Sequence, residues 1–180
     1  MTHRLGKALL FHLIPPIVLF AVVVLLGGWV SIVILAGFVT ASFLFDLDHL
    51  LYVYVAAPQH EVSQRVRQYM REREWSAMLD YIITRRHDFR QLTLHNVLFQ
   101  LFLLVGAFYV LSSSGSLFAK SFIVGLFAHS VVDQFGDLAK EGTIAAWLWV
   151  VGRQIPLVWQ QVYVMIMAGA TAFLLLLLAW

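Results

Sequence analysis

The sequence predicts an all-α integral membrane helical bundle of about five transmembrane helices, with a cytoplasmic amphipathic helical segment, on three observations. The chain of 180 residues is 61% hydrophobic and 12% charged, with a mean hydropathy of +0.83, which is far more apolar than an ordinary soluble domain. Several apolar runs reach the roughly 20 residues that a helix needs to cross a bilayer core of roughly 30 Å. Seven of the twelve basic residues crowd into residues 59–91, the asymmetry expected of a loop held on the cytoplasmic side. A formal charge of +2 gives no reason to expect nucleic acid as a partner. With no cysteine, any metal must be held by nitrogen and oxygen.

The whole of residues 1–180 reads as one membrane domain. Residues 8–26 form the first span, interrupted only by His12 and by Pro15-Pro16, which a membrane helix tolerates. Its length and its poor small-residue cleavage site favour a span over a cleaved leader. Residues 29–57 form the second, ended by Pro58. Spans three and four, about 92–111 and 117–136, are joined by the polar turn Ser112–Ser116, and the fifth covers 157–180. Between spans two and three, Val62, Val66, Tyr69 and Met70, then Met78, Leu79, Ile82 and Ile83, recur at helical spacing. That segment either lies on the bilayer surface or packs on the bundle. Residues 142–155 are too short to span and suit an interfacial or re-entrant piece, and Trp75, Trp147, Trp149, Trp159 and Trp180 read as interface anchors.

Placing Arg4, Lys7, Arg65, Arg67, Arg71, Arg73, Arg85, Arg86, Arg90, Lys140 and Arg153 on one side leaves Lys120 alone on the other. The N-terminus is then cytoplasmic and the C-terminus outside. With that topology, three helices deliver carboxylates and imidazoles to one depth. "FDLDHL" brings Asp46, Asp48 and His49, "RRHDFRQLTLHN" brings His87, Asp88 and His95, and "GLFAHSVVDQFGD" brings His129, Asp133 and Asp137.

Each ionisable group inside a membrane costs about 2.5–3.5 kcal/mol, so such groups persist where they pair or bind ions. His129 and Asp133, at i and i+4, share a helix face with Gly125, whose missing side chain lets a neighbouring helix approach. Asp46 and His49 share another face, as do Asp88 and His95. Asp48 points away from Asp46 on a regular helix, so it is a ligand at a distorted turn, a ligand to a second ion, or a partner behind a ligand. Mixed imidazole and carboxylate donors suit a divalent ion, zinc first, with manganese or iron as alternatives. Asp46, Asp48, His49, His87, His95, His129 and Asp133 exceed the needs of one four-coordinate ion. They fit either a pair of ions or one ion with a dense surround. Arg85, Arg86 and Arg90 either hold a substrate phosphate or anchor the topology at the headgroups. His12 reads as a packing or interface residue, and His3 and His60 as exposed.

At "DLDH", "LTLHN" and "GLFAHSVVD" the chain resembles a bacterial family of small inner-membrane metal-dependent hydrolases, some of them under LexA control. The family carries an Asp-x-Asp-His motif, a paired-histidine motif of the form His-Arg-Gly-x-Thr-His, and a Gly-x-x-x-His-x-x-x-Asp motif. Asp46, Asp48 and His49 match the first, and Gly125, His129 and Asp133 the third. The middle motif matches at His95 alone, with Arg90 where the family has its first histidine, so His87 or Asp88 would take that place. The resemblance covers residues 30–136 and implies a metal-dependent hydrolase of the inner membrane.

Residues and resemblance together point to a membrane enzyme whose cytoplasmic-side metal centre hydrolyses a lipid or lipid-linked phosphate ester, with Asp48 as bridging ligand or as the proton acceptor. Membrane lipids are the expected partners. The alternatives are a metal-stabilised scaffold or regulator without catalysis and an ion or proton transporter. Residues 29–41 and 101–111 offer almost no polar groups for a conduction path. No His-Glu-x-x-His, Gly-x-Ser-x-Gly or Walker motif is present.

Overall fold

A computed structural model of the chain describes the backbone of residues 2–27, 31–89 and 91–180, with the side chains of all of these except 2–11 and 87. Every regular element among them is helical. The tightest packing is between α2 (Ile32–Phe45) and α7 (Leu117–Glu141), and small residues create it. A Cβ on Gly37 would collide with the Ser121 hydroxyl and come within 3.0 Å of the Phe118 carbonyl, while one on Gly125 would stand 2.8 Å from the Ala41 Cβ. Small residues four apart on both helices let the backbones approach closely. Phe45 continues the stripe onto His129, with ring centroids 5.3 Å apart. The contacts advance in step along both chains, so α2 and α7 run parallel.

Gly125→Leu is expected to lower the detergent unfolding midpoint sharply, since overpacking a close helix crossing costs about 1–3 kcal/mol or more. Gly136→Ala, where a Cβ would meet nothing within 4 Å, should leave the midpoint nearly unchanged. Equal midpoints for the two variants would show that the crossing does not hold the fold.

The other long helices surround this pair. α1 (Thr2–Gly27) and α8 (Leu157–Ala179) flank it together with α6 (Val97–Ser113). Gln100 and Gln134 exchange amide hydrogen bonds at 3.3 and 2.9 Å, Gln100 also donates to the Ser130 hydroxyl, and the Tyr163 hydroxyl donates to Gln100. The network binds α6, α7 and α8 through buried polar groups that satisfy one another. A Cβ on Gly106 would touch Ile123, so α6 runs antiparallel to α7. Phe108 meets Phe173, so α8 runs parallel to α6. Two described stretches, Ile32–Ala56 and Leu157–Ala179, are long and apolar enough to cross a membrane, whereas His12–Gly27 and Val97–Ser113 are apolar but shorter.

The basic segment forms a helical hairpin, α4 (Glu61–Arg71) and α5 (Trp75–Thr84), turned at Arg73, whose φ is +58°. Val62, Val66 and Met78 pack with Tyr52, Val53, Phe89 and Leu92 in a second apolar cluster. α4 packs on α5 and on the turn Tyr52–Ala56, and α5 meets α1. On α5, Leu79 and Ile83 remain exposed. Residues 142–155 follow the left-handed cap of α7 at Gly142 and fold as two 3-10 turns, Ala145–Trp147 and Trp149–Val151. Trp147 corrects the sequence expectation: it is 1% exposed and faces the protein interior, because its indole N–H donates to the Asp137 carboxylate at 2.8 Å. Trp75 and Trp159 are exposed.

Candidate metal centre

The helix that carries Asp46, Asp48 and His49 is not regular. The amides of Leu47, His49 and Leu50 donate to the carbonyls three residues earlier, which tightens the chain after α2, and Ala57 then donates to Tyr52 five residues earlier, which widens it. Such over- and under-wound turns re-aim side chains and are frequent at functional sites. Asp46 caps α2 and projects into the bundle. Asp48 opens the short helix α3 (Asp48–Leu51) and faces the segment that precedes α6.

That segment explains the position of His95. The sequence places His95 in the first turns of a helix; the structure places it before the N-cap, Asn96, whose side chain accepts the Phe99 amide. The amides of Thr93, Leu94 and His95 all donate to the Asp48 carboxylate, at 3.1, 2.7 and 3.1 Å. Three captured donors hold this stretch out of helix. The same carboxylate lies 3.0 Å from His95 Nδ1. An ionised carboxylate only accepts, so His95 Nδ1 carries a proton and Nε2 is the nitrogen left to face the cluster. Asp48, with no exposed surface, therefore stands behind His95. Its two oxygens accept N–H groups, an arrangement that matches the carboxylate–histidine pairs behind metal ligands, one of the three places the sequence leaves open for Asp48.

A similar count of protons fixes His129. The single Ser42 hydroxyl proton goes to the His12 carbonyl at 2.9 Å. Ser42 Oγ can then only accept from His129 Nδ1, 3.1 Å away, so His129 also turns its Nε2 to the cluster. The Nε2 atoms of His49, His95 and His129 are buried and make no hydrogen bond among the described residues. Two of them face one atom: Asp133 Oδ2 lies 3.3 Å from His95 Nε2 and 3.4 Å from His129 Nε2. A carboxylate oxygen between two imidazole nitrogens is satisfied by protons on those nitrogens or by a divalent cation that takes their lone pairs.

Asp46 ties the cluster together. Its Oδ2 is 3.1 Å from His12 Nδ1 and 3.9 Å from His129 Nε2. Two groups of donors lie within 4.8 Å of one another, His12 with Asp46 and His129, and Asp46 with His95 and Asp133. Buried His/Asp clusters that could hold a metal ion are thus present. Phe45 and Trp147 wall the site, with ring centroids 4.6 and 5.2 Å from the His95 ring.

The structure thus brings together Asp46, His95, His129 and Asp133 and adds His12, which sequence reasoning set aside. His49 stands beside them, its ring 5.7 Å from that of His95, held by its Nδ1 contact with the Asp46 carbonyl, and lies outside both donor groups. Arg86 enters the cluster, with Nη2 3.2 Å from Asp133 Oδ1 and 3.8 Å from Asp137 Oδ1. Burial works against its charge, but the carboxylates of Asp133, Asp137 and Asp46 outweigh burial and hold the guanidinium above its ordinary range. Asp88 does not join: it lies in a 3-10 turn, Arg86–Asp88, and pairs with Arg85 at the surface. The side chain of His87, and Arg90, fall outside the described residues.

No family model, curated protein or solved structure matches this chain.

Proposed function

We propose that this protein is a multi-pass hydrolase of the bacterial inner membrane that uses one or two divalent ions, zinc first, to cleave a lipid or lipid-linked phosphate ester at the cytoplasmic face. One observation carries the reading. Among the described residues each donor group offers three protein ligands, the number that catalytic zinc sites use when they keep a position open for water. A fully closed structural site uses four. A divalent ion there would lower the pKa of a bound water from about 15.7 to about 7 and polarise a phosphoryl oxygen.

The chain's own residues supply the rest. Asp48 and Ser42 hold the Nδ1 atoms of His95 and His129, so that each Nε2 is the nitrogen available to an ion. Asp46, whose side chain at 29% is the most exposed carboxylate of the cluster, stands at its solvent edge, where it can hold a proton. The parallel course of α2 and α7, with α6 antiparallel, supports five alternating crossings with the N-terminus cytoplasmic and the C-terminus outside. Exposed Phe102, Val105 and Tyr109 on α6 and Met165 and Ile166 on α8 offer the bilayer an apolar surface. The three-motif resemblance supports the same reading.

The test is hydrolysis of phospholipids and isoprenoid phosphates by the detergent-purified chain with Zn²⁺ or Mn²⁺. Activity should disappear on chelation and fall at least about 10²-fold in His129→Ala. Full ion occupancy with no turnover of any substrate would leave a metal-stabilised scaffold.

A further inference from the structure

Arg86 is the arginine that the basic segment sends into the donor cluster. Among the described arginines of that segment, Arg85 pairs with Asp88 and is more than half exposed, Arg65 binds Gln68 and lies over the Tyr69 ring, and Arg67 donates to the Pro58 carbonyl. All three act on their own hairpin or its edge. Arg86 instead has a side chain 29% exposed and reaches across to α7.

Both of its contacts use one nitrogen, Nη2. Among the described residues Nε and Nη1 have no hydrogen-bond or ion-pair partner. A guanidinium presents five donors in a planar fork that matches the spacing of phosphate oxygens. Asp133 and Asp137, the second anchored by Trp147, fix one edge of the fork and leave the other for a ligand.

The distance suits a shared phosphate. Asp133 gives Oδ1 to Arg86 and Oδ2 to His95 and His129, so the arginine and the ion-facing nitrogens are one carboxylate apart. A phosphate with one oxygen about 2.0–2.2 Å from an ion and another about 2.8 Å from the guanidinium spans that step. Charge decides when it binds. With neutral imidazoles, Asp46, Asp48, Asp133 and Asp137 against Arg86 leave three negative charges, which repel an anion. Two divalent ions turn the balance to one positive charge.

We infer that Arg86 is the substrate-phosphate ligand of this site, binding a phosphate ester jointly with the metal ions and only when they are present. The inference rests on the hydrolase reading and names its substrate contact. It is tested with inorganic phosphate as probe and the full chain loaded with Mn²⁺ in detergent, reading phosphate affinity from paramagnetic ³¹P relaxation and ion content by elemental analysis. Arg86→Ala should weaken phosphate about tenfold or more, Arg86→Lys should recover part of the loss, and Arg85→Ala should match wild type, all three with unchanged Mn²⁺. Equal phosphate affinity in wild type and Arg86→Ala overturns the inference while leaving the metal centre standing. Loss of Mn²⁺ from Arg86→Ala also overturns it, by making Arg86 a structural partner of Asp133. A wild type that takes up neither Mn²⁺ nor Zn²⁺ overturns the hydrolase reading and this inference together.

Discussion

Asp46→Ala is expected to leave the purified protein without bound divalent metal, whereas His12→Ala keeps about half of the wild-type content. The contrast follows from the sharing of Asp46 by both donor groups. Removing it leaves His12 with His129, and His95 with Asp133, two donors each, too few to hold a four-coordinate ion against water. Removing His12 damages one group and leaves Asp46, His95 and Asp133 in place. His129→Ala combined with Asp133→Ala should behave like Asp46→Ala, because it too takes a donor from each group. Elemental analysis of detergent-purified protein reads the ratio directly, with circular dichroism to show that the helices persist. Full metal content in Asp46→Ala would place the ions elsewhere, and equal loss in Asp46→Ala and His12→Ala would mean a single ion that all the donors share.

The elements of this fold and site were legible in unequal measure. Long apolar runs mark α2 and α8 because a helix that crosses lipid needs the length whatever surrounds it, and the i, i+4 spacing of His129 and Asp133 places both on one face by helix geometry alone. Gly125 could be read as a close crossing because it lies on that same stripe. What escaped depends on contacts distant in the chain. His12 is a lone imidazole on an apolar helix, and its partner Asp46 lies on another helix. His95 follows Leu92-Thr93-Leu94, a stretch that continues smoothly into α6 on hydropathy, yet the Asp48 carboxylate captures its amides and stops the helix short. Trp147 has the composition of an interface anchor, and only the Asp137 carboxylate distinguishes it from one. The Gln100–Gln134 pair links two helices at no characteristic spacing, so no local pattern could announce it.

Asp48→Asn is the substitution that most directly tests how the centre is built. The carboxylate accepts the amides of Thr93, Leu94 and His95 and lies against His95 Nδ1, and an amide has one accepting oxygen where the carboxylate has two. If the asparagine oxygen takes the Leu94 and His95 amides, its NH₂ opposes the Thr93 amide, and an unsatisfied buried donor costs about 1–3 kcal/mol. If the group turns over, its NH₂ donates to His95 Nδ1 and forces the proton onto Nε2, which can then no longer bind an ion. Both orientations weaken the site from behind. Groups that orient metal ligands typically contribute about 10- to 100-fold in affinity, so Asp48→Asn should weaken Zn²⁺ or Mn²⁺ binding by about that factor in a chelator-competition titration. His95→Ala, which removes the ligand itself, should weaken it at least as much. Turnover in Asp48→Asn should recover as metal is raised to saturation, to the extent that the first orientation prevails. If Asp48→Asn instead bound metal as tightly as wild type while turnover at saturation fell by about 10² to 10⁴-fold, the range of an acid–base group, then Asp48 would be handling a proton in the reaction, and its place behind His95 would not be its function.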